Sequence, residues 1–295
     1  MNSARKFCII GTPVGHSKSP ELYRKIFDER GHTDYSYVIN EIKTVEEFDV
    51  FIEDMRRGAW DGCNVTMPWK TKAAETVDVL YDNAAVTGSV NTVVRRDGRL
   101  YGDSTDGGGM CDAIVTDCGT ELAGKTVVML GCGGAARSII AELAIRDAGK
   151  ILIFGRPGRN MDLTAEIMDR IITRHRSDSD NIGPEGKSGN IGKSICTDKT
   201  VITICDQSDI ESLGRSVCEA DILINCTPVG MAPDTDKLPI PEDIVLPAGL
   251  IVADAIYNPD ETLLIKKAKS SGCRTVKGIR MLEMQAVRAS VYYLE

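Results

Sequence analysis

The sequence predicts an α/β protein with two domains, on three observations. Its 295 residues are enough for two domains of about 150 residues each. In the first hundred residues, short apolar runs alternate with helical patterns, which indicates helices packed on a largely parallel sheet. From Gly107 the pattern changes to a buried strand, a glycine turn and a helix. We therefore expect a first domain at residues 1–106, completed by a C-terminal helix at 279–295, and a second domain at 107–278.

Helix and turn signals define the elements of the first domain. Ser19 is the expected N-cap of a helix that has Pro20 at its first position. A second helix begins at Thr44, where Glu47 three residues later completes a capping box. Asp97-Gly98 suits a tight hairpin turn with positive φ. Strands are expected at residues 6–11, 62–66, 90–95 and 100–103.

Apolar runs of strand length define the second domain. They occur at residues 126–130, 150–154, 222–225 and 251–255, with helical segments between them. This alternation is typical of a doubly wound fold of the Rossmann type. Residues 177–193 are rich in Ser, Asp, Asn, Gly and Lys, so we expect a mobile surface loop there. A final helical pattern at residues 281–292 can return to pack on the first domain.

Composition excludes several classes of partner. The net charge is −8 and no Lys/Arg-rich run occurs, so nucleic acid is not an expected partner. No apolar stretch reaches the roughly 18 residues of a membrane span, and the first apolar run is too short for that of a signal peptide, so we expect a cytoplasmic protein that does not bind membranes. The ten cysteines form no C-x-x-C pair, and the three histidines lack metal-ligand spacing. Buried free thiols and no metal are therefore expected.

A glycine turn follows the apolar run at 126–130. Gly131, Gly133, Gly134 and Ala135 place small residues at the start of the next helix. Small residues let a pyrophosphate approach backbone N–H groups and the helix N-terminus, whose partial positive charge favours an anion. The turn therefore predicts a dinucleotide site, against the alternative of a glycine-rich turn without a ligand.

The end of the next strand bears on the choice between NADP and NAD. NAD sites usually have an acidic residue there, about 20 residues beyond the turn, to bind the ribose. In this sequence Arg156 and Arg159 follow the strand, and no acid does. Two arginines can bind a 2′-phosphate by charge-assisted hydrogen bonds, which favours NADP. NAD as the cofactor, with both arginines simply solvated, is the alternative.

Two serines stand at the start of the first predicted helix. One cap needs one hydroxyl, so Ser19 as the cap leaves Ser17 free to bind a ligand carboxylate. The same helix N-terminus would favour that anion. Alternatively, both hydroxyls serve only as caps.

Further polar residues follow the other strands of the first domain, where α/β sheets bind their ligands. Thr66 and Lys70 come directly after the strand at 62–66, while Asn91 and Asp106 lie in predicted turns. Each has an ordinary structural explanation, because a lone lysine is often a solvated charge and Asn and Asp are common in turns. Taken one at a time, each of these residues is weak evidence for a ligand site.

Taken together and in order, the motifs resemble the shikimate/quinate dehydrogenase family over nearly the whole chain. The matching patterns are H-S-x-S-P, N-V-T-x-P-x-K, G-x-V-N-T, G-x-x-T-D-G, G-x-G-G-A-x-R and N-x-T-P-x-G-M, followed by a late helix that contains Gln285. The run Tyr257-Asn258-Pro259 also resembles the family. The resemblance implies NADP- or NAD-linked interconversion of 3-dehydroshikimate and shikimate, with quinate oxidised by some members.

The resemblance also implies roles for the site residues. Lys70 would be the general acid/base, and Asp106 would hold and orient it. The substrate carboxylate would be bound by Ser17, Ser19 and Tyr257. The ring hydroxyls would be bound by Thr66, Asn91, Asp106 and Gln285. The residues beside the nicotinamide would be Thr227 and Gly278.

The sequence departs from the family pattern at several positions. Gly155 stands where many relatives have Asn and Pro157 where they have Thr, which keeps NAD open as the cofactor. Arg280 replaces a common glycine, and the segment 177–193 is longer than usual. The expected partners are small molecules, and the chain is expected to be a monomer or a homodimer.

Three alternatives to a shikimate enzyme are open. They are a dehydrogenase that prefers quinate or NAD, a folate-linked dehydrogenase of similar build, and a ligand-binding relative without turnover. The two serines, which suit a small carboxylate, count against the folate-linked enzyme. Lys70 and Asp106 count against a relative without turnover.

Overall fold

The computed structural model describes residues 4–176 and 194–295. The chain divides into two compact units, one made of Met1–Asp106 with Gln285–Glu295 and the other of Gly107–Met284. Residues 279–284 were predicted to belong to the first domain but lie in the second unit. The predicted surface loop at 177–193 lies outside the described residues.

The first unit contains a six-stranded sheet. Its strands are β1 (Lys6–Gly11), β2 (Ser36–Glu41), β3 (Gly62–Val65), β4 (Val79–Leu80), β5 (Thr92–Arg96) and β6 (Arg99–Asp103). Its helices are α1 (Ser19–Glu29), α2 (Val45–Arg56), α3 (Lys70–Thr76) and α4 (Asp82–Thr87). The four predicted strands are confirmed as β1, β3, β5 and β6, with ends that differ by two residues or fewer.

The strand order of this sheet is β2-β1-β3-β5-β6-β4. β1 pairs in parallel with β2 and β3, and β4 pairs in parallel with β6. β5 runs antiparallel to β3 and β6. The prediction of a largely parallel sheet is therefore corrected to a mixed sheet. The hairpin predicted at Asp97-Gly98 is confirmed, and it accounts for the antiparallel β5–β6 pair because both residues have positive φ.

The two predicted helix starts have different outcomes. Thr44 caps α2, and its side chain and that of Glu47 form the predicted capping box. Ser19 is not the N-cap of α1, because Lys18 holds that position and Ser19 is the first helical residue. The Ser17 hydroxyl accepts the Ser19 N–H at 3.2 Å, while the Ser19 side chain is buried. The prediction was wrong by one residue: the Ser19 backbone is already helical, and its buried side chain bonds Ser17 instead of capping the helix.

The second unit contains a seven-stranded sheet. Its strands are β7 (Thr126–Leu130), β8 (Lys150–Gly155), β9 (Ser194–Cys196), β10 (Val201–Asp206), β11 (Ile222–Asn225), β12 (Ile251–Asp254) and β13 (Arg274–Val276). The remaining helices are α5 (Asp106–Cys118), α6 (Gly134–Ile145), α7 (Arg159–Arg176), α8 (Ile210–Glu219), α9 (Leu263–Ser270) and α10 (Gly278–Leu294).

The order of the second sheet is β13-β12-β11-β7-β8-β10-β9. All neighbouring pairs from β13 to β10 are parallel, and β9 adds an antiparallel edge. The chain winds from β7 through β8 to β10 on one side, and from β11 through β12 to β13 on the other. This is the predicted doubly wound arrangement, and its direction reverses between β7 and β11. A ligand of such a sheet binds outside the carboxyl ends of the strands at that reversal.

Packing in the first unit holds the start of α3 and the end of α10 in place. Trp69, the residue before α3, is buried against Phe48 and donates its indole N–H to the Ile42 carbonyl at 2.9 Å. Tyr293 of α10 is fully buried, with its ring centroid 4.6 Å from that of Phe7. Residues from both ends of the chain therefore complete one aromatic core.

None of the helices in residues 4–176 and 194–295 combines the length and the apolar character that a membrane span requires.

Candidate active site

The topology of the first sheet brings the predicted substrate residues to one edge. β1 and β3 are parallel and end side by side, with Ile10 opposite Val65. β5 runs the other way and begins at that same edge, where Thr92 pairs with both Asn64 and Asp103. The residues just beyond this edge are Ser17, Thr66, Lys70, Asn91 and Asp106.

Lys70 and Asp106 form a close ion pair at this edge. The Lys70 Nζ lies 2.6 Å from the Asp106 Oδ2, with side chains that are 23% and 13% exposed. Lys70 begins α3 and Asp106 begins α5, so each is held by the first turn of a helix. The ammonium has three N–H donors and uses one on Asp106. It therefore retains donors for a ligand.

Asn91 connects the ion pair to the other polar residues. Its Nδ2 donates to the Asp106 Oδ1 at 2.8 Å, and its Oδ1 accepts the Thr105 N–H at 2.8 Å. The Oε1 of Gln285 lies 3.4 Å from the Asn91 Nδ2 and 3.3 Å from the Thr105 hydroxyl. Asn91, Asp106 and Gln285, which are distant in sequence, thus lie in one buried network of the first unit. Thr105, for which the sequence predicted no role, belongs to it as well.

A second buried amide, that of Asn64, is hydrogen-bonded to this network through the Asn91 carbonyl. Asn64 accepts hydrogen bonds from the hydroxyls of Tyr37 and Tyr293 and donates to the Asn91 carbonyl. Burial raises the pKa of both tyrosines, so they act as hydroxyl donors. These supporting residues were not predicted from the sequence. One feature of the sequence could have indicated them: Asn64 lies inside the apolar run of β3, and a buried amide needs hydrogen-bond partners.

Ser17 and Ser19 form a pair, and neither is fully free. The Ser17 hydroxyl donates to the Ser19 Oγ at 3.0 Å and accepts the Ser19 N–H. Ser17 is half-buried, so its remaining lone pair and the rim of α1 stay accessible to a ligand. Thr66 is half-buried too, and its N–H is bound to the Ile10 carbonyl.

The glycine turn of the second unit lies at the reversal point of its sheet. Gly131 follows β7 with φ +100°, a conformation that favours glycine, and a Cβ there would lie 3.1 Å from both the Cys226 carbonyl oxygen and the Thr227 methyl group. Gly133 is the N-cap of α6, and no side chain caps that helix within the described residues. Nothing lies within 4 Å of a Cβ built on Gly133. The helix N-terminus is therefore open to an anion, which fits the pyrophosphate of a dinucleotide.

Arg156 and Arg159 follow β8 and are exposed. Neither forms an ion pair with any residue in the part of the chain that the structure describes. Two exposed guanidinium groups are compatible with a 2′-phosphate, and they are equally compatible with solvent.

Gly155 is coupled to the glycine turn through Cys132. A Cβ on Gly155 would overlap the Cys132 Sγ, so the thiol fills the volume that a side chain at position 155 needs. Cys132 is buried, and burial raises the pKa of its thiol to about 11. Its sulfur therefore packs as a small apolar group, which accounts for glycine at position 155.

We expect Gly155→Asn to destabilise the protein by about 1–3 kcal/mol through overpacking, and Cys132→Ala to relieve most of that loss in the double variant. Urea unfolding of the wild type, both single variants and the double variant measures the coupling. Additive single effects would contradict the shared volume.

Thr227, Tyr257 and Gly278 belong to the second unit, whereas Ser17 and Lys70 belong to the first. The Thr227 hydroxyl donates to the Asn225 Oδ1 at 2.7 Å. Tyr257 is 38% exposed, in the loop after β12. Gly278 begins α10 against the Ile256 carbonyl, where a Cβ would overlap it. The structure therefore gives each of them a defined position within its own unit.

Arg280, which replaces a common glycine of the family pattern, is tied to its own unit. Its Nε and Nη2 each lie 2.9 Å from a carboxylate oxygen of Asp117, and its Nη1 also pairs with Glu283. The Asp117 carboxylate is the main cause of its raised pKa. The guanidinium is thus engaged by carboxylates on α5 and α10.

The structure gives no support for a metal centre in the residues it describes. No group of three His, Cys, Asp or Glu side chains there is arranged to hold an ion. The cysteines are free. Cys196 and Cys218 are exposed, so the expectation that the thiols are buried is wrong for these two.

A doubly wound unit whose glycine turn can hold a dinucleotide, in a chain that also carries a paired ammonium and carboxylate, has the build of a dehydrogenase. Comparison with known proteins makes this more specific. Residues 9–93 match the family profile described as the shikimate dehydrogenase substrate binding domain. The shikimate dehydrogenase (NADP(+)) of Alkaliphilus oremlandii is 34% identical over 287 residues, which cover 97% of this chain and 90% of that protein.

Solved structures agree in sequence and fold. The shikimate 5-dehydrogenase of Listeria monocytogenes, in complex with shikimate and NAD, superposes with a TM-score of 0.84 and 30% identity over 99% of this chain and 92% of that one. The enzyme of Thermus thermophilus, in complex with NADP(H) and shikimate, gives a TM-score of 0.76 and 25% identity over 99% and 94%. The chain belongs to the shikimate dehydrogenase family. The family resemblance and the α/β fold class inferred from the sequence are thereby confirmed.

Proposed function

We propose that this protein is an NADP-linked oxidoreductase that interconverts 3-dehydroshikimate and shikimate, with Lys70 as the general acid/base. The observation that supports this assignment most directly is the Lys70–Asp106 pair, with 2.6 Å between Nζ and Oδ2 at the ligand-binding edge of the first sheet. The curated relative from Alkaliphilus is named for this activity with NADP(+).

A dinucleotide held at the glycine turn of Gly131, Gly133 and Gly134 would supply the hydride for reduction of the ketone and would accept it in the reverse direction. In the reduction, the Lys70 ammonium donates a proton to the oxygen that becomes the alcohol, and the neutral amine takes a proton back from solvent. In the oxidation, the neutral amine accepts the hydroxyl proton. A positioned proton donor of this kind accelerates such a step by about 10²- to 10⁴-fold.

Asp106 orients the amine. Its Oδ2 holds the Lys70 Nζ, and its Oδ1 is fixed by the Asn91 amide, so the carboxylate cannot rotate freely. The buried position of this chain of contacts strengthens each hydrogen bond in it.

Substrate recognition is assigned to the polar groups around this pair. Ser17, Ser19 and Tyr257 would bind the carboxylate, and the N-terminus of α1 favours that charge. Thr66, Asn91, Asp106 and Gln285 would bind the ring hydroxyls. An analogue that lacks one hydroxyl leaves a buried group unpaired, at a cost of about 1–3 kcal/mol.

The dinucleotide is assigned to the second unit. Gly131, Gly133, Gly134 and Ala135 would hold the pyrophosphate at the N-terminus of α6, with Arg156 and Arg159 on the 2′-phosphate and Thr227 and Gly278 near the nicotinamide. The absence of an acid after β8 supports NADP over NAD. We further assign the protein to the cytoplasm, as a monomer or homodimer.

An initial-rate matrix of shikimate and quinate against NADP and NAD tests this function. We expect the highest kcat/KM for shikimate with NADP, and we expect Arg156→Ala to raise the KM for NADP much more than that for NAD. A higher kcat/KM with quinate would make the protein a quinate dehydrogenase. Inactivity with all four combinations would make it a ligand-binding relative.

A further inference from the structure

The second unit buries a carboxylate to which the proposed function gives no role. Asp254 ends β12 and has no exposed surface. Its Oδ1 accepts from the Asn225 Nδ2 and the Ile256 N–H, both at 3.0 Å, and its Oδ2 accepts from the Thr262 hydroxyl at 2.7 Å. No cation pairs with it among residues 4–176 and 194–295, and burial raises its pKa to about 6. At pH 8 it is therefore an ionised group held by three donors.

The ionised carboxylate sets the direction of a hydrogen-bond chain. It can only accept, so the Asn225 amide must turn its NH₂ toward Asp254 and its oxygen toward Thr227. That oxygen accepts both the N–H and the hydroxyl of Thr227, at 3.0 and 2.7 Å. The Thr227 proton is thereby committed inward, and the Thr227 Oγ1 is left with lone pairs. One of them accepts the Val229 N–H at 3.3 Å.

The same carboxylate joins three segments at the carboxyl edge of the sheet. The loop after β11 is held through Asn225, and the loop after β12 through the Ile256 N–H. The start of α9 is held through Thr262, which also caps that helix by accepting the Ile265 N–H. The first residue of α10, Gly278, packs directly on the Ile256 carbonyl. Of the two residues assigned to the nicotinamide end, Thr227 is linked to Asp254 through Asn225, and Gly278 packs on Ile256, whose N–H Asp254 accepts.

We propose that Asp254 is a positioning residue for the nicotinamide end of the cofactor: by fixing the Asn225 amide, it makes Thr227 present an acceptor lone pair to an N–H donor of the ligand. A carboxamide NH₂ is a group with that chemistry. This inference rests on the proposed dinucleotide function. The proposed role is specific: the Thr227 hydroxyl has already donated its proton to Asn225, so it can offer the ligand only an acceptor. A purely structural role for Asp254 would not affect the nicotinamide selectively.

The test is equilibrium binding at pH 8, with two ligands that differ only at the nicotinamide. NADPH is measured by its fluorescence, and ADP-ribose 2′-phosphate, which lacks the nicotinamide, is measured by calorimetry. Asp254→Ala leaves the Asn225 amide without its anchor, so we expect about tenfold weaker NADPH binding and an unchanged affinity for ADP-ribose 2′-phosphate. Asp254→Asn keeps an acceptor oxygen for Asn225 and should restore NADPH binding to within about threefold of the wild type.

Asp221→Ala is the matched control. Asp221 precedes β11, and its Oδ2 accepts the Thr126 N–H at the opposite, amino-terminal edge of the same sheet. Its loss should lower stability without changing the affinity for either ligand. Thr227→Val covers the case in which Asp254→Ala does not fold, because it removes the lone pair and keeps the shape; it should weaken NADPH binding selectively, by about tenfold.

Several results would overturn the inference. These are NADPH affinity within twofold of the wild type in Asp254→Ala or Thr227→Val, equal weakening of both ligands, or Asp254→Asn as weak as Asp254→Ala. A wild-type protein that binds neither ligand would instead refute the proposed function, and the inference with it. The two failures are therefore distinguishable.

Discussion

Replacing Lys70 by methionine is expected to lower kcat for shikimate oxidation by about 10²- to 10⁴-fold while changing the KM for shikimate by less than about threefold. Methionine keeps much of the length of the side chain and removes the group that exchanges the proton. Asp106 loses its cation but keeps its bond from Asn91, so the network that surrounds the substrate should persist. Steady-state kinetics give both constants, and circular dichroism reports whether the fold is retained.

Lys72→Met is the matched control for this prediction. Lys72 lies in α3 as well, is comparably exposed at 29%, and pairs with Asp49 at 2.7 Å. A partly exposed ion pair of this kind contributes little to stability, so the variant should fold as the wild type does. Because Lys72 pairs with Asp49 and not with Asp106, kcat should stay within about twofold of the wild type. Retention of turnover within tenfold in Lys70→Met, or equal losses in both variants, would remove Lys70 from the role of acid/base.

The second large effect is expected at the glycine turn, where Gly133→Asp should weaken NADPH binding by at least about 100-fold without destabilising the fold. Gly133 has φ −76° and ψ −176°, which an aspartate adopts without strain, and a Cβ there meets no atom within 4 Å. Aspartate is a good N-cap, so the free energy of unfolding should be unchanged or rise by a few tenths of a kcal/mol. The new carboxylate would occupy and repel the position of the pyrophosphate.

Gly249→Asp provides the same change of charge in the same unit. Gly249 is exposed and also has open space around its Cα, just before β12 at the other edge of the sheet. Fluorescence titration should show that this variant binds NADPH with the affinity of the wild type. Urea unfolding of both variants measures their free energies of unfolding. If Gly133→Asp binds NADPH within about fivefold of the wild type, the turn does not hold the pyrophosphate.

Local signals in the sequence predict local structure well. The capping box at Thr44 and the turn at Asp97-Gly98 involve residues that touch because they are neighbours in the chain, and both are present. The mixed character of the first sheet depends on the pairing of β3 with β5, which no local pattern records. The N-cap of α1 is Lys18 and not Ser19, and the burial of the Ser19 side chain is a property of the folded unit that the local pattern does not show.

The start of α5 shows how tertiary packing overrides propensity. Gly107, Gly108 and Gly109 look like a loop, because each glycine costs a helix about 1 kcal/mol. They are nevertheless helical, and a Cβ on Gly107 would overlap the Ser138 carbonyl of α6. The close approach of two helices therefore requires the glycine that weakens one of them.

The sequence predicted the site residues that follow strands. It predicted much less well the buried residues that hold other site residues in place by hydrogen bonds. Lys70, Asn91 and Asp106 meet because strand ends converge, which the order of elements implies. Asn64 and Asp254 lie inside or at the end of apolar runs, where a polar residue indicates a buried partner but does not identify it.

The fully buried Tyr293 has a consequence for synthesis of the chain. The ring that packs on Phe7 and the hydroxyl that reaches Asn64 belong to a residue 229 positions after Asn64 in the chain. Part of the aromatic core of the first unit therefore stays uncovered until that residue has been synthesised. The second unit, whose sheet is formed by the residues in between, can fold during that interval.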